Sequence, residues 1–417
     1  MDMTTPTHRL YYTDAGLTTF DARVRACRPT GDHHVVVLDQ TAFYPTSGGQ
    51  PHDLGTMQVL GPDRDPDTSP VSVLDVIDSD DEGVLHVTDG PIEPGTHVRG
   101  TIDAARRFDH RQQHTGQHVL SAAFDRLFGA RTVGFHLGAT NATLDLDKPL
   151  GPDAIAAAEA EANRIVWENR PVTIRFATQE EAASLPLRKE PVKTGPLRLV
   201  VVEDYDLSAC GGTHVSMTGG IGVIVVRSWE KLRGGTRLEF FCGGRALSSY
   251  RQLRDAVARS LTRLSVAPEE LPEAIERVQG DNKALQRVLR GFQEKLAEHE
   301  ASALVARGRQ EHGVTLVVET VEGWDQSGLK ALAAAAAATP GVAAGLLTAT
   351  EPALVVVARS ADVGLDAGAV LRTLVARVGG KGGGKPDLAQ GGGLTGAGAA
   401  LESTLREIMR QAIQPSS

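Results

Sequence analysis

Four residues of the types that bind transition metals occur in this sequence as two pairs with the same spacing. His114 and His118 are four residues apart, and so are Cys210 and His214. The first spacing places two imidazoles one turn apart on the same face of a helix. The two glycines that follow Cys210 allow a sharp bend, so that its thiolate and the next imidazole can close on the helical pair. Three nitrogen ligands and one sulfur ligand suit tetrahedral Zn²⁺ better than Mg²⁺ or Ca²⁺.

Either pair alone would be weak evidence for a metal. Two histidines on one helix face are more often solvated or hydrogen-bonded than metal-bound, and a lone Cys-x-x-x-His is no stronger. The presence of both pairs in one chain favours a metal site. His110 lies four residues before His114 and offers a competing triple-histidine arrangement. It ranks lower because Cys210 and His214 already complete a set of four.

Composition limits the classes of protein to which the chain can belong. A length of 417 residues predicts two to four domains, and 41% hydrophobic residues is normal for a folded soluble protein. A net charge of −9 argues against nonspecific coating of nucleic acid, although it permits a local basic face. Three cysteines cannot form a disulfide framework, which fits a reducing cytoplasm. We expect neither a signal peptide nor a membrane span, because no suitable apolar run occurs.

The pattern of apolar residues divides the chain into four predicted regions and indicates an α+β multidomain protein. Short strands separated by Gly, Asp and Pro predict a small β-barrel over residues 1–100. Residues 101–242 mix helices and strands, and the helix that carries the His pair begins this region. A 3-4 heptad rhythm over residues 243–310 predicts a coiled-coil-like helical hairpin, or else two helices lying on a globular domain. Residues 311–417 return to an α/β pattern with buried strands.

Two glycine-rich segments could approach a ligand closely. Residues 43–50 contain Gly48 and Gly49, for which the alternative is an ordinary hairpin loop. Residues 379–393 contain eight glycines together with Lys381 and Lys385. Exposed backbone amides and two ammonium groups could bind phosphate, so we predict a binding loop here. The alternative is a flexible linker.

Four motifs together resemble a known family. Residues 113–120 and 208–215, which contain the two ligand pairs, resemble the editing domain of alanyl-tRNA synthetases and the free-standing AlaX trans-editing proteins. Residues 43–50 look like the glycine-rich motif before that domain. Residues 380–393 look like the C-terminal oligomerisation and tRNA-binding domain of the same synthetases. The order is that of the long AlaX type. A synthetase also has an aminoacylation domain ahead of these motifs, so we expect no aminoacylation from this chain.

The resemblance implies hydrolysis of the ester between serine, or glycine, and tRNA(Ala), with no nucleotide cofactor. An alanine pocket cannot strongly reject a smaller residue or one extra hydroxyl, so a second hydrolytic site is needed. His114, His118, Cys210 and His214 match the family's zinc positions, one ion per chain. Zinc could activate water or could anchor the terminal adenosine or aminoacyl group. Four protein ligands leave no open tetrahedral position, which favours the orienting role. The family also implies a homodimer through the C-terminal domain.

The same resemblance suggests further contacts. Where related synthetases often have a glutamine, this chain has Gly134, so serine would be sensed by backbone or by a nearby hydroxyl or imidazole. The predicted substrate-binding residues are Thr41, Thr46, Gly48, Gly49, Gln50, Gly134, Phe135 and His136. The predicted contacts to tRNA phosphates are Arg106, Arg107, Arg111, Arg237, Lys381 and Lys385. Two other functions stay open: a noncatalytic, zinc-containing protein that binds tRNA or dimerises, and a deacylase of another charged tRNA of the threonyl type.

Overall fold

The computed structural model describes residues 7–61, 69–188, 196–396 and 398–413. The chain forms two compact units, Met1–Arg259 and Ser260–Ser417. Both units contain helices and sheets, which confirms the predicted α+β multidomain class. None of the helices in the described ranges combines the length and the apolar character needed to cross a membrane.

The first unit begins with a closed six-stranded barrel, as predicted. Its strands and two short neighbours are β1 (His8–Arg9), β2 (Thr19–Thr30), β3 (His33–Leu38), β4 (Gln40–Thr41), β5 (Gly55–Leu60), β6 (Val71–Ser79), β7 (Gly83–Thr88) and β8 (His97–Ile102). The barrel closes in the order β2-β3-β7-β6-β5-β8, while β1 pairs with β4 in parallel. Strand β8 alternates strictly between exposed and buried residues, so that one face fills the barrel interior. The long β4–β5 connection contains the first glycine-rich segment.

Helix α1 (Ala104–Phe128) follows the barrel directly. It starts at Asp103, whose carboxylate accepts a hydrogen bond from the backbone N–H of Arg106 at 3.0 Å. It ends at Gly129, which adopts the left-handed conformation that favours glycine. From Gln112 to Phe124 every residue is buried. The helix predicted from the His pair is therefore confirmed, and it lies in the interior of the unit.

The remaining elements of this unit form two small sheets around α1. They are β9 (Thr132–Leu137), β10 (Ala142–Leu146), α2 (Pro152–Trp167), β11 (Val172–Ala177), α3 (Gln179–Ala183), β12 (Leu197–Val202), β13 (Asp206–Ala209), β14 (Ile224–Leu232), β15 (Gly235–Cys242) and α4 (Gly243–Leu264). The sheet orders are β14-β15-β10-β9 and β11-β12-β13. One apolar core joins α1, α2 and the four-stranded sheet through residues such as Phe124, Ile165 and Phe240. This core fixes α1 against the strand that leads to Cys210.

The second unit is a six-stranded sheet covered on both faces by helices. Its elements are α5 (Leu271–Arg307), β16 (Arg309–Glu311), β17 (Val314–Val321), α6 (Gln326–Ala337), β18 (Val342–Thr348), β19 (Ala353–Arg359), α7 (Ala367–Val378), β20 (Lys381–Gly384), β21 (Leu388–Leu394) and α8 (Gly398–Ile413). The strand order is β16-β17-β18-β19-β21-β20, with β17 and β18 parallel. Helices α5 and α6 cover one face, and α7 and α8 cover the other.

The predicted phosphate-binding loop at residues 379–393 is wrong in its local structure. These residues form the antiparallel strands β20 and β21, in which Gly382 pairs with Gly391. A Cβ atom on Gly384 would lie 2.4 Å from the Cα of Ala389, so glycine permits an unusually close approach of the two strands. Two helices are present in the region 243–310, but their packing as a hairpin stays a prediction.

Candidate active site

The four predicted metal ligands converge in the first unit. Helix α1 supplies His114 and His118, and the segment after β13 supplies Cys210 and His214. One ligand atom from each lies within 4.8 Å of the other three. The Sγ of Cys210 is 3.4 Å from the Nε2 of His114 and 3.4 Å from that of His214. Tetrahedral zinc with ordinary bond lengths requires an N···S separation of about 3.5 Å. The cluster could therefore hold a metal ion of this size and geometry.

The turn that carries Cys210 is shaped by a close glycine contact. A Cβ on Gly212 would lie 2.2 Å from the Cε1 of His114, so any side chain here would displace that ring. The backbone N–H of Gly212 donates to the Cys210 sulfur at 3.3 Å. From α1, the Nε of Arg111 donates to the carbonyl of His214 at 2.8 Å. Helix and turn are therefore held together by direct contacts on both sides of the cluster.

His118 and His214 each have an acceptor for the Nδ1 proton. The Nδ1 of His118 lies 3.2 Å from Oδ2 of Asp206, and both side chains are buried. The Nδ1 of His214 lies 3.2 Å from the Thr115 hydroxyl. That hydroxyl donates its own proton to the carbonyl of Arg111 at 2.8 Å, so it accepts from the imidazole. Both rings therefore keep Nε2 available as a ligand atom.

Asp206 is itself held by neighbours that sequence reasoning missed. Arg188 donates to its Oδ1 at 2.6 Å, and the Ser208 hydroxyl donates to its Oδ2 at 3.0 Å. Burial raises the pKa of Asp206, but the hydrogen bond from His118 and the charge and hydrogen bond of Arg188 lower it more. The carboxylate is thus ionised. Part of this group could have been predicted from the sequence, because Asp206, Ser208 and Cys210 occupy alternate positions and so share one face of a strand.

The electrostatic environment favours the protonation states that metal binding requires. Burial, together with a smaller effect of the Arg198 charge, lowers the pKa of His114 to about 3. Burial also holds the pKa of His214 well below its usual value, as do the neighbouring imidazoles. For Cys210, burial raises the thiol pKa, but the hydrogen bond and charge of His118 outweigh it and lower the pKa. Neutral His114 and His214 rings and a readily ionised Cys210 thiol are what a cation site needs.

The ligand cluster forms part of the wall of a cavity of about 930 Å³. Three of the ligands line it: His114, His118 and Cys210. Of the predicted substrate-binding residues, it is lined by Gly48, Gly134 and Phe135. Lining residues that were not predicted include Tyr44, Ser47, Gln117, Arg131, Leu187 and Arg188. The space is large enough for a nucleoside with an attached acyl group.

The other predicted substrate residues lie outside the cavity lining. Thr41 is fully buried, and its hydroxyl is 2.9 Å from the Nε2 of His86 inside the barrel. The Thr46 hydroxyl is 3.1 Å from the Nδ1 of His52. Gly49 packs against Phe135, Gln50 lies behind His114, and His136 is exposed on β9. Thr41 and Gln50 point into the interior, where their side chains form hydrogen bonds with the buried rings of His86 and His114.

The predicted phosphate contacts differ widely in accessibility. The predicted phosphate contact is wrong for Arg107. This side chain is 1% exposed and donates to Asp53 and to the carbonyls of Ala15 and Ala42, so it cannot reach a phosphate. Its role is to join α1 to the barrel. The other five predicted residues are at least partly accessible to solvent. Arg106 donates to the carbonyl of His52, and Arg111 donates to the carbonyl of His214. Arg237 forms an exposed pair with Asp145, and Lys381 and Lys385 are exposed in the second unit.

Comparisons with known proteins cover most of the chain. The family described as "tRNA synthetases class II (A)" matches residues 4–106, "Threonyl and Alanyl tRNA synthetase second additional domain" matches 197–239, and "DHHA1 domain" matches 313–414. The alanyl-tRNA editing protein AlaX-L of Pyrococcus horikoshii is 33% identical over 396 residues, covering 92% of this chain and 94% of that protein. The chain belongs to the AlaX-L family of alanyl-tRNA editing proteins. The predicted family is thus confirmed.

Alanine–tRNA ligases match the chain equally well but over less of their own length. That of Methanoregula boonei is 35% identical over 93% of this chain and 42% of the ligase. The ligase of Pyrococcus abyssi is 33% identical over 92% of this chain and 42% of its own length. The chain therefore spans about two fifths of the length of these ligases. Among solved structures, the C-Ala domain from Aquifex aeolicus alanyl-tRNA synthetase aligns with 25% of this chain and 98% of its own, at 24% identity and a TM-score of 0.24.

Proposed function

We propose that this AlaX-L family protein removes serine, and also glycine, from mischarged tRNA(Ala) by hydrolysing the aminoacyl ester. One observation carries the proposal: three of the four candidate metal ligands line a cavity large enough for an aminoacylated nucleoside. A metal ion at the wall of such a cavity could contact the aminoacyl end of a bound substrate. The preceding glycine-rich segment contributes Ser47 and Gly48 to the same wall.

The metal is proposed to be a single Zn²⁺ held by the four clustered residues. The donor set fits, because three imidazoles and one thiolate present atoms at zinc spacing and the acceptors on the Nδ1 atoms leave Nε2 free. A bound zinc would supply a Lewis acid next to the cavity. The chain's own residues would then hold and orient the substrate and exclude bulk water.

The lining residues suggest how the aminoacyl end of the tRNA would be held. Phe135 offers an aromatic face on which the terminal adenine can stack. Arg188, kept in place by Asp206 and Ser208, brings a positive charge to the cavity for a phosphate. Gln117 lies beside the ligand His118 and donates its amide N–H to Ser121 at 2.8 Å. Its amide oxygen is the proposed acceptor for the serine hydroxyl or the amino group.

The body of the tRNA is the proposed partner of the more distant basic residues. Arg237 is 44% exposed in its pair with Asp145, a pair weak enough for a phosphate to compete. Lys381 and the turn residue Lys385 are exposed at the edge hairpin of the second unit. We extend the proposal to Arg106 and Arg111, and to dimerisation through the second unit, on the family resemblance.

A deacylation panel tests the proposal. Purified protein is incubated with tRNA(Ala) charged with serine, glycine or alanine and with Thr-tRNA(Thr), with and without a zinc chelator. We expect Ser-tRNA(Ala) to lose serine, the chelator to stop the reaction, and His118→Ala to abolish it. His136→Ala, an exposed position outside the cavity lining, is the matched control and should retain activity. Undiminished hydrolysis by His118→Ala would refute the assignment of the site.

One observation favours a second candidate. The family that matches residues 197–239 is described for both threonyl- and alanyl-tRNA synthetases. Deacylation of threonyl-type tRNA is therefore the alternative, and the Thr-tRNA arm of the panel separates the two. Release of no amino acid from any arm would favour a noncatalytic tRNA-binding protein that contains zinc.

A further inference from the structure

Gln50 lies fully buried between the barrel loop and the metal ligands. Its Oε1 is 2.8 Å from the Nδ1 of His114 and 3.1 Å from the backbone nitrogen of Thr213. Its Nε2 donates to the Thr213 hydroxyl at 2.8 Å. The backbone N–H of Thr213 can only donate, so the amide atom it contacts is an oxygen. The orientation of the Gln50 amide follows from its neighbours.

This orientation determines the tautomer of His114. An amide oxygen can only accept, so the Nδ1 of His114 must carry the proton. Its Nε2 then keeps a lone pair and is the atom 3.4 Å from the Cys210 sulfur. Without Gln50, either nitrogen could hold the proton, and the Nε2–H tautomer cannot bind a cation through Nε2, the atom that faces the cluster.

The same short turn also borders the cavity. The backbone groups of Ser47 and Gln50 exchange two hydrogen bonds, at 3.1 Å and 2.9 Å, which closes the turn at residues 47–50. Ser47 and Gly48 line the cavity, whereas Gln50 points the opposite way into the ligand cluster. One rigid four-residue turn therefore contacts both the candidate substrate space and a candidate metal ligand.

We propose that Gln50 is a positioning residue for the metal site, which holds His114 in its ligand-competent tautomer and ties the barrel turn to the metal. This differs from the substrate contact predicted from the sequence, and it rests on the proposed metal site. Metal binding and the shape of the cavity wall are then linked through one amide. Removing the amide acceptor should weaken metal binding even though Gln50 is not itself a ligand.

The test is the zinc affinity of the full chain, measured by competition with a chromophoric chelator. Gln50→Met keeps the length of the side chain but removes the acceptor, and zinc should bind about 10–100-fold more weakly. Gln50→Glu restores an acceptor for His114 and should recover most of the affinity. The matched control is Asn163→Leu: Asn163 is another buried amide, bonded to both backbone groups of Ile224, and it touches no metal ligand. Its loss should leave the zinc affinity within about twofold of wild type.

The outcomes separate this inference from the function on which it rests. Equal zinc affinity of Gln50→Met and wild type would overturn the role of Gln50 while leaving the metal site intact. Failure of the wild type to bind zinc would reject the metal site itself, and this inference with it. If Gln50→Met does not fold, histidine ¹⁵N NMR of the metal-free wild type decides: a proton on Nδ1 of His114 supports the inference, and a proton on Nε2 overturns it.

Discussion

Replacing Arg107 by methionine tests whether this residue holds the fold or contacts tRNA. The substitution keeps most of the aliphatic length and removes the guanidinium, which lies buried in a pair with Asp53. It leaves a buried carboxylate without its counterion and the carbonyls of Ala15 and Ala42 without donors. Breaking such a pair costs about 3–5 kcal/mol. In a unit of this size that corresponds to a drop in melting temperature of roughly 6–20 °C.

The comparison variant is Arg237→Met, which breaks an exposed pair with Asp145. Because solvent screens an exposed pair, its loss changes stability little, and this variant should melt within a few degrees of wild type. The two variants should also differ in tRNA binding. Loss of one phosphate contact lowers the slope of log affinity against log salt by about one unit. We expect that change for Arg237→Met and no change for folded Arg107→Met.

Calorimetry and a filter-binding salt titration on the same preparations measure both quantities. A melting temperature for Arg107→Met within a few degrees of wild type would refute the structural role. A reduced salt slope for Arg107→Met would show that the guanidinium reaches phosphate after all, contrary to its burial. Either result would mean that α1 is not joined to the barrel in the way described.

Two further predictions concern the site and the barrel. Gly212→Ala should weaken zinc binding at least tenfold, because the new Cβ would collide with His114. Gly211→Ala is the control and should not weaken it, because the nearest neighbour of its Cβ is the Tyr12 hydroxyl at 3.9 Å. Equal zinc affinities of the two variants would contradict the packing of the turn. Burial lowers the pKa of His86 to about 4, below the value of about 6.5 in the unfolded chain. Its neutral form therefore stabilises the fold above pH 6.5, and the free energy of unfolding should fall by up to about 1.4 kcal/mol per pH unit between pH 6.5 and 4. Urea titrations at several pH values should show a shallower dependence for His86→Gln, and an unchanged dependence would contradict the neutral buried state.

The parts of the structure that could be predicted are those encoded locally. The i, i+4 spacing of His114 and His118 defines a helix face, and the two glycines after Cys210 define a turn, whatever the rest of the chain does. The barrel followed from short strands with regular turn signals. The α2 helix begins at Pro152, where proline is favoured in a first turn.

The parts that could not be predicted depend on residues brought together by tertiary packing. Gln50 meets His114 across 64 residues, and Asp206 meets His118 across 88. A buried arginine such as Arg107 has the same sequence appearance as a surface one, because its partners are chosen by the fold. The glycine-rich hairpin was mistaken for a loop because glycine is depleted in strands. Here close strand pairing requires it, as Gly384 against Ala389 shows.

Most side chains of helix α1 cannot be changed in a redesign of the site without losing a structural contact. One turn of the helix binds the barrel through Arg107, the next holds the Cys210 turn through Arg111, and the following turn carries His114 and Thr115. Nearly every side chain from here to Phe124 is committed to a contact. Libraries that aim at a new acyl group should therefore vary the cavity wall supplied by loops and by the edge strand β9. Randomising α1 would mostly yield proteins that do not fold.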